Sequence, residues 1–465
     1  MIRTDYLIVG AGAVGMAFAD QLLTETEAEI AIVDRRALPG GHWNDAYPFV
    51  RLHQPSAFYG VGSRELGSDR LDASGPNKGN RQLASGSEVM SYFDALMRER
   101  FLPSGRVAYF PMCDYLEDGR LVSRLSGAER RVEVRRKLVD TTFFDVQVPA
   151  THQRPFHVEP GLSVVAPGDL PRAAPAEGRY VIVGAGKTAM DVAVWLLQSG
   201  ADRRQIRWIA PRDSWLINRD MVQPGETFFH RTVGGYASQL EACARATSPA
   251  DLFERLERGG QLLRIDPSVQ PTMFRGATIS PGEVELLRGV EDVVRKGRVR
   301  RLERGAIVLE HGRVEAAPGD LYIDCSAKGF GGHSPVPVFD GRRITPQMVR
   351  ANVISLSASL IAHVEAAYDS DAEKNALCSP IPPVDCAAEW AGQALADLRN
   401  ARTWSADKAL RRWIAEHRLS GASGAATPVR DAATEEILRR IAAARPGAEA
   451  NLARLAGEPA AEAAA

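Results

Sequence analysis

Short apolar runs that end in a glycine occur twice in the chain. Tyr6 to Val9 precedes Gly10, and Tyr180 to Val183 precedes Gly184. Runs of this length are typical of buried parallel strands, and the apolar residues after each glycine have helical spacing. A second apolar run follows each helix, at Ile30 to Val33 and at Ile206 to Ala210. The pattern therefore predicts two strand–helix–strand units.

The rest of the chain adds elements around these two units. Residues 224–289 have mostly helical spacing, and we expect them to be an insertion in the second unit. The apolar run in GDLYIDCS, residues 319–326, predicts a buried strand that rejoins the first unit. The spacing of the apolar residues in 344–367 predicts a helix. The residues from Pro446 onward, mostly Ala, Glu and Gly, read as a disordered tail.

The composition is that of an ordinary globular protein, with 45% hydrophobic and 25% charged residues among 465. A formal net charge of −1 gives no general attraction to nucleic acid or to an anionic membrane. The five scattered cysteines form no C-x-x-C pair, which argues against a disulfide framework and indicates a reducing cytoplasm. Beyond the first strand and helix, no apolar run approaches the roughly 20 residues of a membrane span. We expect a cytoplasmic protein with no nucleic-acid partner, no membrane partner and no metal site.

Glycines at a fixed spacing follow the first strand. Gly10, Gly12 and Gly15 match G-x-G-x-x-G, with Ala13 and Val14 between the last two. The first glycine permits a tight turn, the second lets the backbone approach a pyrophosphate, and the third lets the helix pack closely on the strand. The phosphates then lie at the helix N-terminus, where free N–H groups bind anions. This pattern predicts a dinucleotide site.

An acidic residue closes the first unit. Asp34 follows the second strand about 20 residues after the last glycine, where a carboxylate accepts hydrogen bonds from a ribose 2′-hydroxyl. Arg35 comes next, and a loop with Gly41, His42 and Trp43 offers glycine backbone and a flat indole face to a ligand. A secretory signal would imitate the apolar start of the chain, but it explains neither the glycine spacing nor the acid.

The second unit carries the variant G-x-G-x-x-A. Its members are Gly184, Gly186 and Ala189, with Lys187 and Thr188 inside the motif. The Lys–Thr pair resembles the end of a P-loop, but the spacing of G-x-x-x-x-G-K-[ST] is not met. The motif predicts a second dinucleotide site.

The end of the second unit differs in charge from the end of the first. Arg212 stands there in place of an acid, and an arginine at this point accommodates the 2′-phosphate of NADP. A solvated surface arginine is the alternative interpretation. The sequence thus predicts a nucleotide with a free 2′-hydroxyl at the first site and NADPH at the second.

GAGAVG, Asp34, GGHW and the second GAGKTAMD together resemble the two-dinucleotide flavoproteins, and among them the flavin-containing monooxygenase superfamily of class B type. The resemblance covers most of residues 1–370 and implies FAD at the first fingerprint, G-G-x-W beside the flavin, and NADPH at the second fingerprint. The related disulfide reductases have a cysteine pair after the double glycine, and HWNDAYPFVRLHQP has none. The family's F-x-G-x-x-x-H motif is not recognisable, which indicates a divergent branch.

The resemblance implies an α/β fold with two Rossmann-like dinucleotide-binding domains and a helical C-terminal region. The FAD-binding domain is expected to be discontinuous, with the NAD(P)H-binding domain inserted into it. The expected boundaries are 1–170 for the first part of the FAD-binding domain, 171–315 for the NAD(P)H-binding domain with its helical insertion, 316–400 for the return segment of the FAD-binding domain, and 401–465 for a helical extension with a low-complexity tail.

The loop after GGHW supplies the candidate catalytic residues. His53 and Gln54 stand near the place of the family's flavin-side asparagine, and a satisfied hydrogen bond within the loop is the alternative for both. Arg51 is expected at the cofactor site, where it would hold a carboxylate or face solvent. Asp324 is expected to support the turn at the flavin edge.

The resemblance implies a monooxygenase that uses FAD, NADPH and O2 to form a C4a-(hydro)peroxyflavin. It would insert one oxygen atom into a small-molecule substrate by N-hydroxylation or Baeyer–Villiger type chemistry. Two alternatives stay open: an NAD(P)H-dependent flavoprotein reductase or dehydrogenase without a stable peroxyflavin, and a nucleotide-sensing protein whose catalytic machinery has decayed. The sequence names neither the substrate nor the oligomeric state, and a homo-oligomer stays open.

Overall fold

The computed structural model describes residues 1–329, 333–421 and 431–458, which form an α/β protein. Its strands, in chain order, are β1 (Ile2–Val9), β2 (Ile30–Val33), β3 (Val107–Phe110), β4 (Cys113–Leu116), β5 (Arg120–Ser123), β6 (Glu129–Asp140), β7 (His157–Val158), β8 (Ser163–Val165), β9 (Tyr180–Val183), β10 (Ile206–Ile209), β11 (Leu216–Asn218), β12 (Leu262–Leu263), β13 (Thr278–Ile279), β14 (Asp292–Val294), β15 (Val299–Glu303), β16 (Ala306–Leu309), β17 (Gly312–Glu315), β18 (Leu321–Asp324), β19 (Phe339–Asp340) and β20 (Arg343–Ile344).

The α-helices lie between and after these strands. They are α1 (Ala13–Glu25), α2 (Gly86–Leu96), α3 (Lys187–Gln198), α4 (Phe229–Arg245), α5 (Pro249–Arg258), α6 (Pro281–Arg288), α7 (Ile354–Ala367), α8 (Asp371–Leu377), α9 (Ala387–Ala406), α10 (Lys408–Glu416) and α11 (Ala432–Leu455). Within the described residues, no helix combines the length and the apolar character that crossing a bilayer requires.

The first sheet is organised around β1. Its parallel part has the order β3–β2–β1–β6–β20, and β19, β5 and β4 extend it with antiparallel pairs. Tyr6 and Ile8 of β1 pack with α1 and α7 in one core, whereas Leu7 packs with Leu121 on the opposite face. Both faces are therefore covered, which explains why the Tyr6–Val9 part of β1 and the whole of β2 are apolar without alternation.

The second sheet is entirely parallel and has the order β14–β10–β9–β18–β8. Helix α3 packs on one face, and the small sheet β17–β16–β15–β7 packs on the other. Strand β18 contains the LYID run that we expected to rejoin the first sheet, and that prediction is wrong, because β18 pairs with β9 and β8. A run that is apolar on both faces fits either sheet, so its sequence does not specify its partner. The chain reaches the first sheet again at β19 and β20.

The C-terminal helices pack on the helical insertion of the second unit. Helix α11 contacts α4 and α9, and Ala448 and Leu452 are fully buried in this core. The disorder predicted from Pro446 onward is therefore wrong for residues 446–455, which belong to α11 in spite of the internal proline. Burial of one helix face supplies the stability that the composition of this segment does not reveal. Residues 459–465 of the predicted tail lie outside the described residues.

Candidate functional site: two glycine turns in one cavity

A cavity of about 1460 Å³ lies at the carboxyl ends of the strands of both parallel sheets. Val9, Asp34 and Thr141 line it from the first sheet, and Val183 and Cys325 line it from the second. Open α/β sheets bind their ligands at this end, where the strand order reverses. In the first sheet that reversal is between β1 and β6, and in the second it is between β9 and β18. The cavity thus joins two positions of the kind that bind nucleotides.

The first glycine turn has the geometry that a pyrophosphate-binding loop needs. Gly10 has φ of +107°, a conformation that residues with a Cβ rarely adopt. A Cβ on Gly15 would lie 2.0 Å from the carbonyl oxygen of Gly10, so α1 packs on β1 only because this residue is glycine. Gly12, Ala13 and Val14 begin α1 and line the cavity. Gly15 does not line it and acts through packing.

Asp34 lies at the end of β2 and is 6% exposed. Its carboxylate accepts hydrogen bonds from the backbone N–H of Ala11 at 2.6 Å and of Arg36 at 2.7 Å. A carboxylate oxygen accepts more than one hydrogen bond, so Asp34 still has capacity to accept one from a ribose hydroxyl. Arg35, the neighbouring predicted residue, also lines the cavity. The first unit therefore combines its glycine turn with an acceptor at the expected position.

The GGHW segment packs directly on the first glycine turn. Gly41 has φ of +59°, and a Cβ on it would lie 2.9 Å from the Cα of Gly12. Trp43 donates from its indole Nε1 to the hydroxyl of Tyr59 at 2.6 Å, and both rings line the cavity. His42 stacks on Trp43 with ring centroids 5.5 Å apart, and burial together with the nearby Arg36 lowers the pKa of His42 to about 4. His42 is consequently neutral at neutral pH.

The second glycine turn repeats this geometry. Gly184 has φ of +128°, and a Cβ on it would lie 2.5 Å from the carbonyl oxygen of Cys325. Gly186 precedes the first turn of α3, and no atom lies within 4 Å of the place its Cβ would occupy. Thr188 lines the cavity, whereas Ala189 is fully buried against the sheet core. The N-terminus of α3 is thus open to an anion, as the G-x-G-x-x-A pattern predicted.

Lys187 lines the cavity and is held there by two carboxylates. Its ammonium contacts the carboxylate of Asp191, one helical turn on, and lies 3.5 Å from Oε1 of Glu283. The Lys187 side chain is only 9% exposed. The ammonium of Lys187 is thus already paired with two carboxylates, and its role in binding the cofactor stays a prediction. The sequence spacing of Lys187 and Asp191 is the i,i+4 spacing of helical ion pairs.

Lys187 belongs to a buried ionic network that joins the two units. Arg219 donates to Glu283 at 2.5 Å and to the carbonyl oxygen of His53 at 2.8 Å, and Tyr47 donates to Asp191 at 2.6 Å. Burial raises the pKa of Glu283, but Lys187 and Arg219 outweigh it and lower that pKa to about 2. Burial and the neighbouring Asp191 raise the pKa of Tyr47. The network therefore holds the carboxylate of Glu283 ionised beneath the cavity wall.

His53 and Gln54 lie above this network, and both line the cavity. The His53 side chain is 40% exposed, and its Nε2 is 3.9 Å from Oδ2 of Asp191. Its partial burial and the charge of Lys187 lower the pKa of His53 below its usual value, so its imidazole is neutral at neutral pH. The side-chain amide of Gln54 has no hydrogen-bond partner in the described part of the chain. A satisfied hydrogen bond within the loop, the alternative interpretation, is therefore not found for Gln54.

Two other predicted residues have specific partners. Arg51 lines the cavity, faces solvent and donates to the carbonyl oxygen of Leu83 at 2.9 Å. Asp324 is 3% exposed, accepts hydrogen bonds from Ser326 and Arg154, and lies 3.2 Å from Nε2 of His152. Asp324 ends β18 in the second sheet and is not among the residues that line the cavity, whereas the next residues, Cys325 and Ser326, do line it. The support of Asp324 for the turn at the flavin edge stays a prediction.

Arg212 lines the cavity just after β10, as predicted, but it is already paired. Its Nη1 is 2.6 Å from Oδ2 of Asp385, and its Nη2 is 3.2 Å from Oδ1 of the same carboxylate. Arg275 also donates to Asp385, from its Nε at 2.6 Å. Arg212 is therefore neither free nor simply solvated.

Sequence reasoning missed several residues of the site. Thr141 donates to the carbonyl oxygen of Val9 at 2.7 Å across the reversal point of the first sheet. Tyr59, Asp191 and Asp385 contact predicted residues, as described above. Of these residues, only Asp191 carried a sequence signal, its helical spacing from Lys187.

The two glycine turns on two parallel sheets define a protein with two Rossmann-like dinucleotide-binding units. Residues 8–57 match the family model of the NAD(P)-binding Rossmann-like domain, which confirms the prediction for the first unit. Over 419 residues the chain is 50% identical to "Uncharacterized protein Rv2000" of Mycobacterium tuberculosis (strain ATCC 25618 / H37Rv), a match that covers 90% of this chain and 78% of that protein. "Uncharacterized protein Mb2023" of Mycobacterium bovis gives the same values. The chain belongs to the family of these mycobacterial proteins.

Among solved structures, the chain is similar to several monooxygenases. An open crystal structure of cyclohexanone monooxygenase aligns with a TM-score of 0.49 and 11% identity over 96% of this chain and 99% of that chain. An oxidized steroid monooxygenase bound to NADP aligns with a TM-score of 0.48 and 14% identity over 78% of this chain and 85% of that chain.

Proposed function

We propose that this protein is an FAD- and NADPH-dependent monooxygenase that acts on a small organic substrate, by N-hydroxylation or by Baeyer–Villiger type oxygenation. The observation that carries the proposal is that the two glycine turns open into one cavity. Hydride transfer needs its donor and acceptor in contact, and a shared cavity allows that contact. Its volume of about 1460 Å³ exceeds the roughly 300–1,000 Å³ of a single-ligand pocket.

The residues of the first unit suit FAD. The open backbone at Gly12 and the N-terminus of α1 would hold the pyrophosphate, and Asp34 would accept a hydrogen bond from the ribose. Trp43 and Tyr59 provide an aromatic wall on the same side of the cavity. When bound, FAD supplies the chemistry of accepting a hydride from NADPH and reacting with O2.

The polar groups of the loop after GGHW, on His53 and Gln54, suit the oxygen-transfer step. A neutral His53 has one donor and one acceptor nitrogen, and the Gln54 amide offers both a donor and an acceptor. Arg219 fixes the His53 backbone through its carbonyl oxygen. These two side chains would hydrogen-bond the substrate or the reacting oxygen, while the aromatic wall excludes water. The cysteines of the described chain are free, which suits the reducing cytoplasm where we place the protein.

Labelled oxygen distinguishes the proposed monooxygenase from a reductase. The purified protein is incubated with NADPH and ¹⁸O2 and with a panel of small cyclic ketones and primary amines. A monooxygenase yields a product with one ¹⁸O atom for each NADPH oxidised. A reductase or dehydrogenase yields no labelled product, turns over with a quinone acceptor in the absence of oxygen, and would contradict the proposal.

The Arg212→Ala variant is expected to bind NADPH about tenfold more weakly, a change of about 1.4 kcal/mol, and NADH almost unchanged. The guanidinium lies at the strand end where a 2′-phosphate is bound in this fold, and NADH lacks that phosphate. The measurement is the Michaelis constant for each coenzyme in NAD(P)H oxidation. Equal changes for both coenzymes would show that Arg212 does not recognise the phosphate.

A further inference from the structure

The pairing of Arg212 with Asp385 places an acidic side chain at the point where the coenzyme phosphate is expected. Asp385 precedes α9, far along the chain from the second glycine turn, and its carboxylate contacts both Arg212 and Arg275. All three side chains line the cavity. The two arginines contribute two positive charges, and Asp385 cancels one of them.

The backbone fixes Asp385 in this place from both sides. Its N–H donates to Oε2 of Glu389 at 2.7 Å, and its carbonyl oxygen accepts from the N–H of Phe274 at 2.8 Å. Phe274 is itself buried in the core around α5 and α9. Hydrogen bonds from Arg212 and Arg275 lower the pKa of Asp385 to about 2, so the carboxylate is ionised at neutral pH. Asp385 is thus a permanent negative charge with a fixed backbone.

The geometry of the pair decides what the carboxylate does. Asp385 takes both terminal nitrogens of Arg212, and this bidentate fork is the same surface that arginine uses for a phosphate. A phosphate group that approaches Arg212 must displace the carboxylate or accept its repulsion. A coenzyme without the 2′-phosphate meets neither obstacle.

We propose that Asp385 is a specificity-determining residue, whose carboxylate competes with the 2′-phosphate of NADPH for Arg212 and Arg275 and so limits the preference of this site for NADPH over NADH. The proposal rests on the second glycine turn being the NAD(P)H site proposed above. Asp385 does not hold the fold together, since the side chains of Asp385 and Arg212 are 41% and 32% exposed, and ion pairs at such positions contribute little to stability.

The test uses two nucleotide fragments that bind without turnover. Calorimetric titration with 2′,5′-ADP and with 5′-AMP compares a coenzyme half with the 2′-phosphate and one without it. In Asp385→Asn we expect the dissociation constant of 2′,5′-ADP to fall about tenfold and that of 5′-AMP to stay unchanged. The control is Asp369→Asn, which removes one negative charge from an exposed residue that does not line the cavity and should change neither constant. In an Arg212→Ala background, Asp385→Asn should change the dissociation constant of 2′,5′-ADP by a factor close to one.

Each other result overturns the proposal in a recognisable way. If Asp385→Asn weakens the binding of 2′,5′-ADP, then the carboxylate orients the two arginines for the phosphate and does not compete with it. If the dissociation constants of both fragments change equally, or neither changes, then Asp385 does not act on the 2′-phosphate. The assignment of the coenzyme site is unaffected by that result. If the wild-type protein binds neither fragment, then the second glycine turn is not a coenzyme site, and the proposed function fails together with this inference.

Discussion

The Gly12→Ala variant is expected to fold normally and to lose FAD, with affinity reduced on the order of 100-fold, or about 2.7 kcal/mol. A Cβ at Gly12 would lie 3.5 Å from the Cα of Gly41, which is an ordinary contact, and the backbone at Gly12 has φ of −81°. The folded chain therefore accommodates alanine. The methyl group would instead occupy the space through which the pyrophosphate approaches the backbone. The measurement is the amount of flavin released from the purified, denatured variant and its affinity for added FAD.

The chain offers a matched pair for this experiment. Gly186 holds the same position in the second turn, and beyond its chain neighbours no atom lies within 4 Å of the place its Cβ would occupy. Gly186→Ala should therefore lose NADPH and keep FAD. Gly168→Ala adds a methyl group in open space away from the cavity and should keep both. If Gly12→Ala kept its flavin and Gly186→Ala lost it, the two sites would be assigned in the wrong order.

Glu283→Gln is expected to destabilise the protein by about 3–5 kcal/mol, because it leaves Arg219 with an uncompensated charge in the interior. The side chains of Arg219 and Glu283 are 1% and 11% exposed, and their closest atoms are 2.5 Å apart. Glu285→Gln is the control on the same helix, since Glu285 is 69% exposed and forms an ion pair with Arg288 at the surface. The control should change the free energy of unfolding by less than about 0.5 kcal/mol. Urea unfolding of the two variants and of the wild type provides the comparison.

The same carboxylate predicts how stability depends on pH. The pKa of Glu283 is about 2 in the folded protein, whereas a glutamate in an unfolded chain has a pKa of about 4.3. A depressed folded-state pKa contributes stability that is fully present above the unfolded value and is lost as the pH falls toward the folded value. The wild type should therefore lose stability between about pH 4 and pH 2 more steeply than Glu283→Gln does. Parallel curves for the two proteins would show that the network does not hold Glu283 ionised.

The features that the sequence predicted correctly are local in the chain. Gly10 and Gly184 have positive φ, and Gly15 packs on the carbonyl oxygen of Gly10, so each of these requirements arises within one strand–helix unit and a short window of sequence contains the signal. The position of Asp34 follows from the lengths of the helix and strand that precede it. The match of residues 8–57 to the Rossmann-like family model confirms the prediction for the first unit.

The features that the sequence did not reveal depend on residues that are distant in the chain. Asp385 meets Arg212 across 173 residues, and nothing near either of them indicates the other. The partner of β18 was mistaken because a doubly buried strand has no face pattern that would identify its sheet. Lys187 was expected at the cofactor site because it lies inside the second glycine motif, and only the fold shows Glu283 beside it. Charge pairing and sheet assignment therefore came from the structure alone.

The proposed function requires that two nucleotides meet in one cavity, so that a hydride passes directly between them. This transfer is tested by anaerobic mixing of the FAD-loaded protein with NADPH, and with NADPH deuterated at the transferred position of the nicotinamide. The expected result is bleaching of the flavin absorbance that is markedly slower with the deuterated coenzyme, because the transferred C–H bond breaks in that step. A protein that takes up no FAD, or whose bound flavin NADPH fails to reduce, would contradict the proposed function.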